Sequence, residues 1–173
     1  MDILSYDLLE DAIVNRLFPL VSTGIEVEPL PESPALSSTP FEKPRITVAY
    51  KSSDYDDTVT RGLPSHLTSG QLGQNEYAEI ELIIRTRLMR GPRGAHAVKK
   101  AIDFLLVGFH VPGWDKLFPK QYTIIPNQQD IEDGIWTYSY TFVTKCILVE
   151  AEMEDVIVLL QQIDFNTSII APT

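Results

Sequence analysis

Between Glu76 and Arg90 the chain alternates with a period of two. Ala78, Ile80, Leu82, Ile84 and Leu88 fall on one side, and Glu79, Glu81, Arg85 and Arg87 on the other. Successive side chains of a strand point to opposite faces, so this stretch reads as a strand with one face in a core and one in water. Ile135 to Val149 repeats the pattern, with Trp136, Tyr138, Tyr140, Phe142, Cys146 and Leu148 on one face. Gln121 to Gln128 reads as the strand before it and Asp133-Gly134 as a turn, so these last two strands should form a hairpin.

Helical periodicity occurs twice. Leu9, Ala12, Ile13, Leu17 and Leu20 recur at three- and four-residue steps, which predicts a helix over about Tyr6 to Leu20, with Asp7, Glu10 and Asp11 near its N-terminal end where the helix dipole favours acid. Ala97, Val98, Ala101, Ile102, Leu105 and Leu106 predict a second helix that ends near Gly108. Ile25 to Glu28 and Arg45 to Lys51 alternate as shorter strands, the latter placing Ile46, Val48 and Tyr50 on one face. Pro29 to Pro44 is too rich in proline for a regular ladder, and Ser52 to Asn75 lacks periodicity over most of its length; both read as long loops. The fold class expected is α+β: a mainly antiparallel sheet covered on one face by two helices, the other face polar, with long loops and a C-terminal extension.

At 173 residues with 44% apolar content, the chain can build a core without metals or disulfides, and its lone Cys146 allows no internal disulfide. No apolar run reaches the roughly 18 residues that span a bilayer, so a membrane is not an expected partner. A formal charge of −10 argues against general affinity for nucleic-acid backbones.

Chemistry-bearing residues are present but not convergent. His66, His96 and His110 share no short ligand spacing with each other or with Cys146, and Cys146 lies on an apolar strand face where an inert, buried thiol is expected. Asp54/Asp56/Asp57 and Asp130/Glu132/Asp133 offer carboxylates that hard cations prefer, yet neither matches an EF-hand loop, and both read as solvated loops. No nucleophile elbow, Walker loop or dinucleotide fingerprint occurs. Gly91-Pro92-Arg93-Gly94 is a poor phosphate cradle because Pro92 has no N–H to offer. No catalytic residue, metal or cofactor is expected.

Two polar features remain. Arg85, Arg87, Arg90 and Arg93 make a basic stretch in an acidic chain, suited either to lining a lumen or subunit interface or, equally, to pairing with acidic loops of this or another subunit. After position 149 come Glu150, Glu152, Glu154, Asp155 and Asp164 with no base, around the apolar run Val156, Ile157, Val158, Leu159 and Leu160. That run is expected to contact this domain's own sheet or a neighbouring subunit, so 1–150 is read as the domain and 151–173 as an extension.

The opening helix around Leu9-Glu10-Asp11-Ala12-Ile13, the strand Lys43-Pro44-Arg45-Ile46-Thr47-Val48, the strand Tyr77 to Arg87, the helix Ala97 to Leu106 and the aromatic strand Trp136 to Phe142 together resemble the tail-terminator (neck) family of Mu-like contractile-tailed phages. The resemblance covers roughly residues 1 to 150. It implies a non-enzymatic virion protein of the tail neck, assembled in the host cytoplasm. Such a protein forms a ring, expected as a hexamer, that stops tube polymerisation at the head-proximal end. Implied partners are the chain itself, the tail tube and sheath proteins, and the head-tail connector or stopper, with genomic DNA near the lumen. The alternatives are another neck or baseplate adaptor and, from a different class, a small metal-dependent phage enzyme that would need the acidic clusters to converge.

Overall fold

The computed structural model describes residues 6–31, 41–56, 60–61 and 72–149. The chain divides into two compact units, one of Met1–Asp56 with Asn75–Cys146 and one of Asp57–Gln74 with Ile147–Thr173. In the second, the described residues are 60–61, 72–74 and 147–149, and they include the antiparallel pairing Thr60↔Gly73 and Arg61↔Leu72. The remainder of this subsection concerns the first.

Helix α1 runs Tyr6–Leu17, three residues short of the sequence expectation, because Pro19 cannot donate an amide to the helix. The chain tightens instead into a 3-10 turn over Phe18–Thr23. Gly24 ends that turn at φ +86, its N–H on the carbonyls of Leu20 and Val21. Strand β1 (Glu26–Pro29) then pairs in parallel with β2 (Arg45–Tyr55), Glu26 opposite Arg45. β2 pairs antiparallel with β4 (Leu72–Thr86), helix α2 spans Ala95–Leu106, and β5 (Phe118–Ile124) pairs antiparallel with β6 (Trp136–Val149). The two-residue strand at 60–61 is β3, and helix α3 (Gln128–Glu132) sits between β5 and β6. The sheet path is β1-β2-β4-β6-β5, so the α+β class and the final hairpin are as expected.

The core lies between the helices and one sheet face. Leu9, Ile13 and Leu17 of α1, with Ala95, Val98, Ile102 and Leu106 of α2, are buried, as are Ile46, Val48, Ala78, Ile80, Leu82, Ile84, Tyr138, Tyr140 and Phe142 of the strands. α1 packs beside α2 and over β1 and β2. At the margin of this core a buried carboxylate is fully engaged: Glu76 accepts from the Tyr6 hydroxyl at 2.6 Å, from the Ser53 hydroxyl, and from the Cys146 thiol at 3.5 Å.

Strand boundaries moved where the core ends. β2 continues four residues past Lys51, and β4 begins at Leu72, so the expected loop over 52–75 is partly ladder. Ser52 to Tyr55 is mostly exposed, and a strand with no buried face carries no hydrophobic alternation to betray it. β4 stops at Thr86 rather than Arg90, leaving Leu88 exposed in the corner before α2. β5 starts three residues before Gln121 and ends at Ile124, and Gln128 opens α3 instead of closing a strand.

Candidate assembly surface

The sheet face away from α1 and α2 is polar, and its charged groups Glu79 and Arg85 are matched. Lys51 and Lys120 are each left without a register partner at a β-bulge, the first in β2 and the second in β5. A bulge re-aims the extra side chain. Both ammonium groups go to Glu79 of the central strand β4, Lys120 through a direct hydrogen bond and Lys51 at 3.7 Å. Glu79 is held below the usual carboxylate range, chiefly by Lys120. Beside it Ser139 donates to Glu81, and Arg85 donates to Asp130 at 2.5 Å while Thr137 donates to the other oxygen of Asp130, also at 2.5 Å.

That last contact divides the basic stretch. Arg85 is committed to a buried carboxylate, whereas Arg87, Arg90 and Arg93 are exposed and have no ion pair among the described residues. Asp130, expected in a solvated loop, is 4% exposed. α3 has carried it onto the sheet, so the acidic cluster does not converge; Glu132 and Asp133 remain exposed. Among the described residues no group of three His, Cys, Asp or Glu could hold a metal. His96 and His110 are exposed on separate elements, while His66 and Asp57 fall outside the described residues.

The corner holding the three arginines that have no ion pair among the described residues is built tightly. Thr86, fully buried, donates to the carbonyls of Leu88 and Arg93 and accepts from the Leu88 amide. Ala95 and His96 donate back to Leu88 and Met89, which joins the first turn of α2 to the corner. Gly94 is required there, since a Cβ would stand 2.5 Å from the Arg90 carbonyl oxygen. Leu88 and Met89, between Arg87 and Arg90 in the chain, are 55% and 36% exposed. The Phe41 ring lies under the Arg85 and Arg87 guanidinium groups, at 5.4 and 5.9 Å.

Exposed aromatics lie elsewhere. Phe104 is 87% exposed on α2 and Phe18 is 64% exposed in the 3-10 turn. In the sequence Phe104 sits two residues from both Ile102 and Leu106, about 200° around the helix from each, which is a legible sign that it faces away from the core. The Glu79 cluster carried no comparable signal, because bulges are not written in residue spacing. The two outermost strands are poor templates for further pairing: β1 is four residues long and ends in Pro29, and β5 carries Pro119 beside its bulge. The expected contact run Val156, Ile157, Val158, Leu159 and Leu160 lies outside the described residues.

No curated protein matches this chain. A chain in the solved structure of the virion of a native gene transfer agent (GTA) particle is 18% identical, with a TM-score of 0.49 over 85% of this chain and 100% of that one. The model of the Gp37 protein family matches residues 13–167, nearly the whole length, and the chain therefore belongs to the Gp37 protein family.

Proposed function

We propose that this protein is a structural subunit of a phage-type virion and, more narrowly, the tail terminator: a ring, in the simplest case a hexamer, that sits at the head-proximal end of a contractile tail, halts tube growth and joins tail to head connector. The observation that carries an assembly role is Phe104. Phe104 is 87% exposed and Val107, three residues on at the end of α2, is 47% exposed; residues three apart are neighbours along a helix, and adjoining apolar groups left in water on a helix whose core face is already filled suit a contact surface. The terminator assignment itself is supported by the pattern of helices and strands described above for residues 1–150. Edge strands that discourage pairing are consistent with a closed assembly, in which subunits meet through faces and corners instead of extending one sheet. An enzymatic reading is weakened because Asp130, the best-placed carboxylate of its cluster, is occupied by Arg85 and Thr137.

The test is the mass of the full chain, alone and mixed with tail tube protein, by light scattering, followed by electron microscopy of the mixture. A ring at one end of short tubes supports the terminator reading. A chain that binds neither tube protein nor itself overturns it, and binding at the opposite, baseplate end favours an adaptor.

A further inference from the structure

We infer that the arginine corner between β4 and α2 is the docking site for the acidic, apolar C-terminal segment, residues 150–164, of a second copy of this chain. The inference rests on the assembly role proposed above and supplies its contact. Arg87, Arg90 and Arg93 are exposed, without ion pairs among the described residues, and held on a corner fixed by Thr86 and Gly94. A rigid cationic surface binds with less ordering cost than a mobile one. Exposed Leu88 and Met89 lie within it, so the site asks for a ligand that is both anionic and apolar.

Residues 150–164 have that composition, with five acids, no base, and Val156 to Leu160 in one run. Copies of a chain with formal charge −10 repel one another, and a self-contact gains most where unpaired arginines meet the most acidic segment. A nucleic-acid backbone would satisfy the arginines but leave Leu88 and Met89 in water, which is why a polypeptide is favoured.

The experiment follows self-association of the full-length chain by light scattering across concentration and salt. The parent chain should associate at low salt and dissociate as salt rises. Arg87→Glu/Arg90→Glu/Arg93→Glu should weaken association by about tenfold or more, and Glu150→Lys/Glu152→Lys/Glu154→Lys should do the same. Both sets combined in one chain should restore it, which a folding defect could not. The neutral Arg87→Gln/Arg90→Gln/Arg93→Gln chain should fall between parent and reversal. A parent that is monomeric at every concentration, a corner reversal that associates like the parent, or a combined chain that stays dissociated would each overturn the inference. So would a corner reversal that keeps self-association and loses only retention of duplex DNA on a gel. Purified chain alone is used, so failure here leaves the terminator reading to its own test with tube protein.

Discussion

Arg85 of the central strand and Asp130 of α3 meet at 2.5 Å across 45 residues of sequence, with the carboxylate nearly sealed from water. Removing one partner leaves the other in a poor environment, and the two losses should differ. Arg85→Ala strands a buried carboxylate with only Thr137, at a cost of about 2 to 3 kcal/mol, below the usual range for a broken buried pair because the arginine side chain is 30% exposed. Asp130→Ala leaves a guanidinium that can turn toward solvent, and about 1 to 2 kcal/mol is expected. Urea unfolding of both single variants and the double variant measures the coupling. Equal losses would show that the arginine is as sealed in solution as its partner.

Glu79 predicts the acid limb of stability. Its carboxyl is depressed, first by the hydrogen bond from Lys120 and then by Lys51. A depressed carboxylate contributes stability that is present above its unfolded value, about 4.3, and is lost as pH falls through the folded value. Thermal melts from pH 6 downward should show a stability loss that is shallower in Glu79→Gln, with the two curves converging at the acid end. Parallel curves would assign the acid sensitivity to other carboxylates.

Much of the fold was legible because α1 and α2 cover the sheet and write their periodicity into β2, β4 and β6. Alternation alone puts Ile46, Val48, Ile80, Leu82, Tyr140 and Phe142 on the core face, and all are buried. Legibility ended where burial ended, at Ser52 to Tyr55, and where a polar group was buried by tertiary contact, as with Asp130. The candidate site was half legible. Sequence proximity groups four arginines, but only the ladder and α3 decide that Arg85 is consumed while its three neighbours have no ion pair among the described residues.

Cys146 should be chemically silent in the native protein. Burial pushes its thiol up to about 12, with the nearby Glu76 carboxylate adding to the shift, and the thiolate is the reactive form. At pH 8 a disulfide exchange reagent should label it only at the rate of unfolding, then rapidly in denaturant. Fast native labelling would mean that the Tyr6, Ser53 and Glu76 network opens locally.

Two glycines separate close packing from backbone conformation. At Gly94 a Cβ would press on the Arg90 backbone, and Gly94→Ala should cost about 2 kcal/mol by forcing the corner and the start of α2 apart. Gly108 has open space but φ +76, so Gly108→Ala should cost only about 1 kcal/mol, the strain of a left-handed residue. Chemical denaturation distinguishes them, and the Gly94 variant should also lose self-association if the arginine corner is the docking site.

Phe104 gives the reverse signature, function without stability. Its ring makes no core contact to lose, so Phe104→Ser should leave the melting midpoint nearly unchanged, within about 0.5 kcal/mol, and exchanging an apolar ring for a hydroxyl on an exposed helix position should if anything improve solubility. If α2 meets another subunit or the tube, the same change should reduce assembly with tail tube protein, because a large aromatic in a desolvated contact is the kind of residue that dominates binding. Loss of assembly with unchanged stability would place the outer face of α2 in the particle interface. Unchanged assembly would leave Phe104 outside any contact and remove the observation on which the assembly role rests.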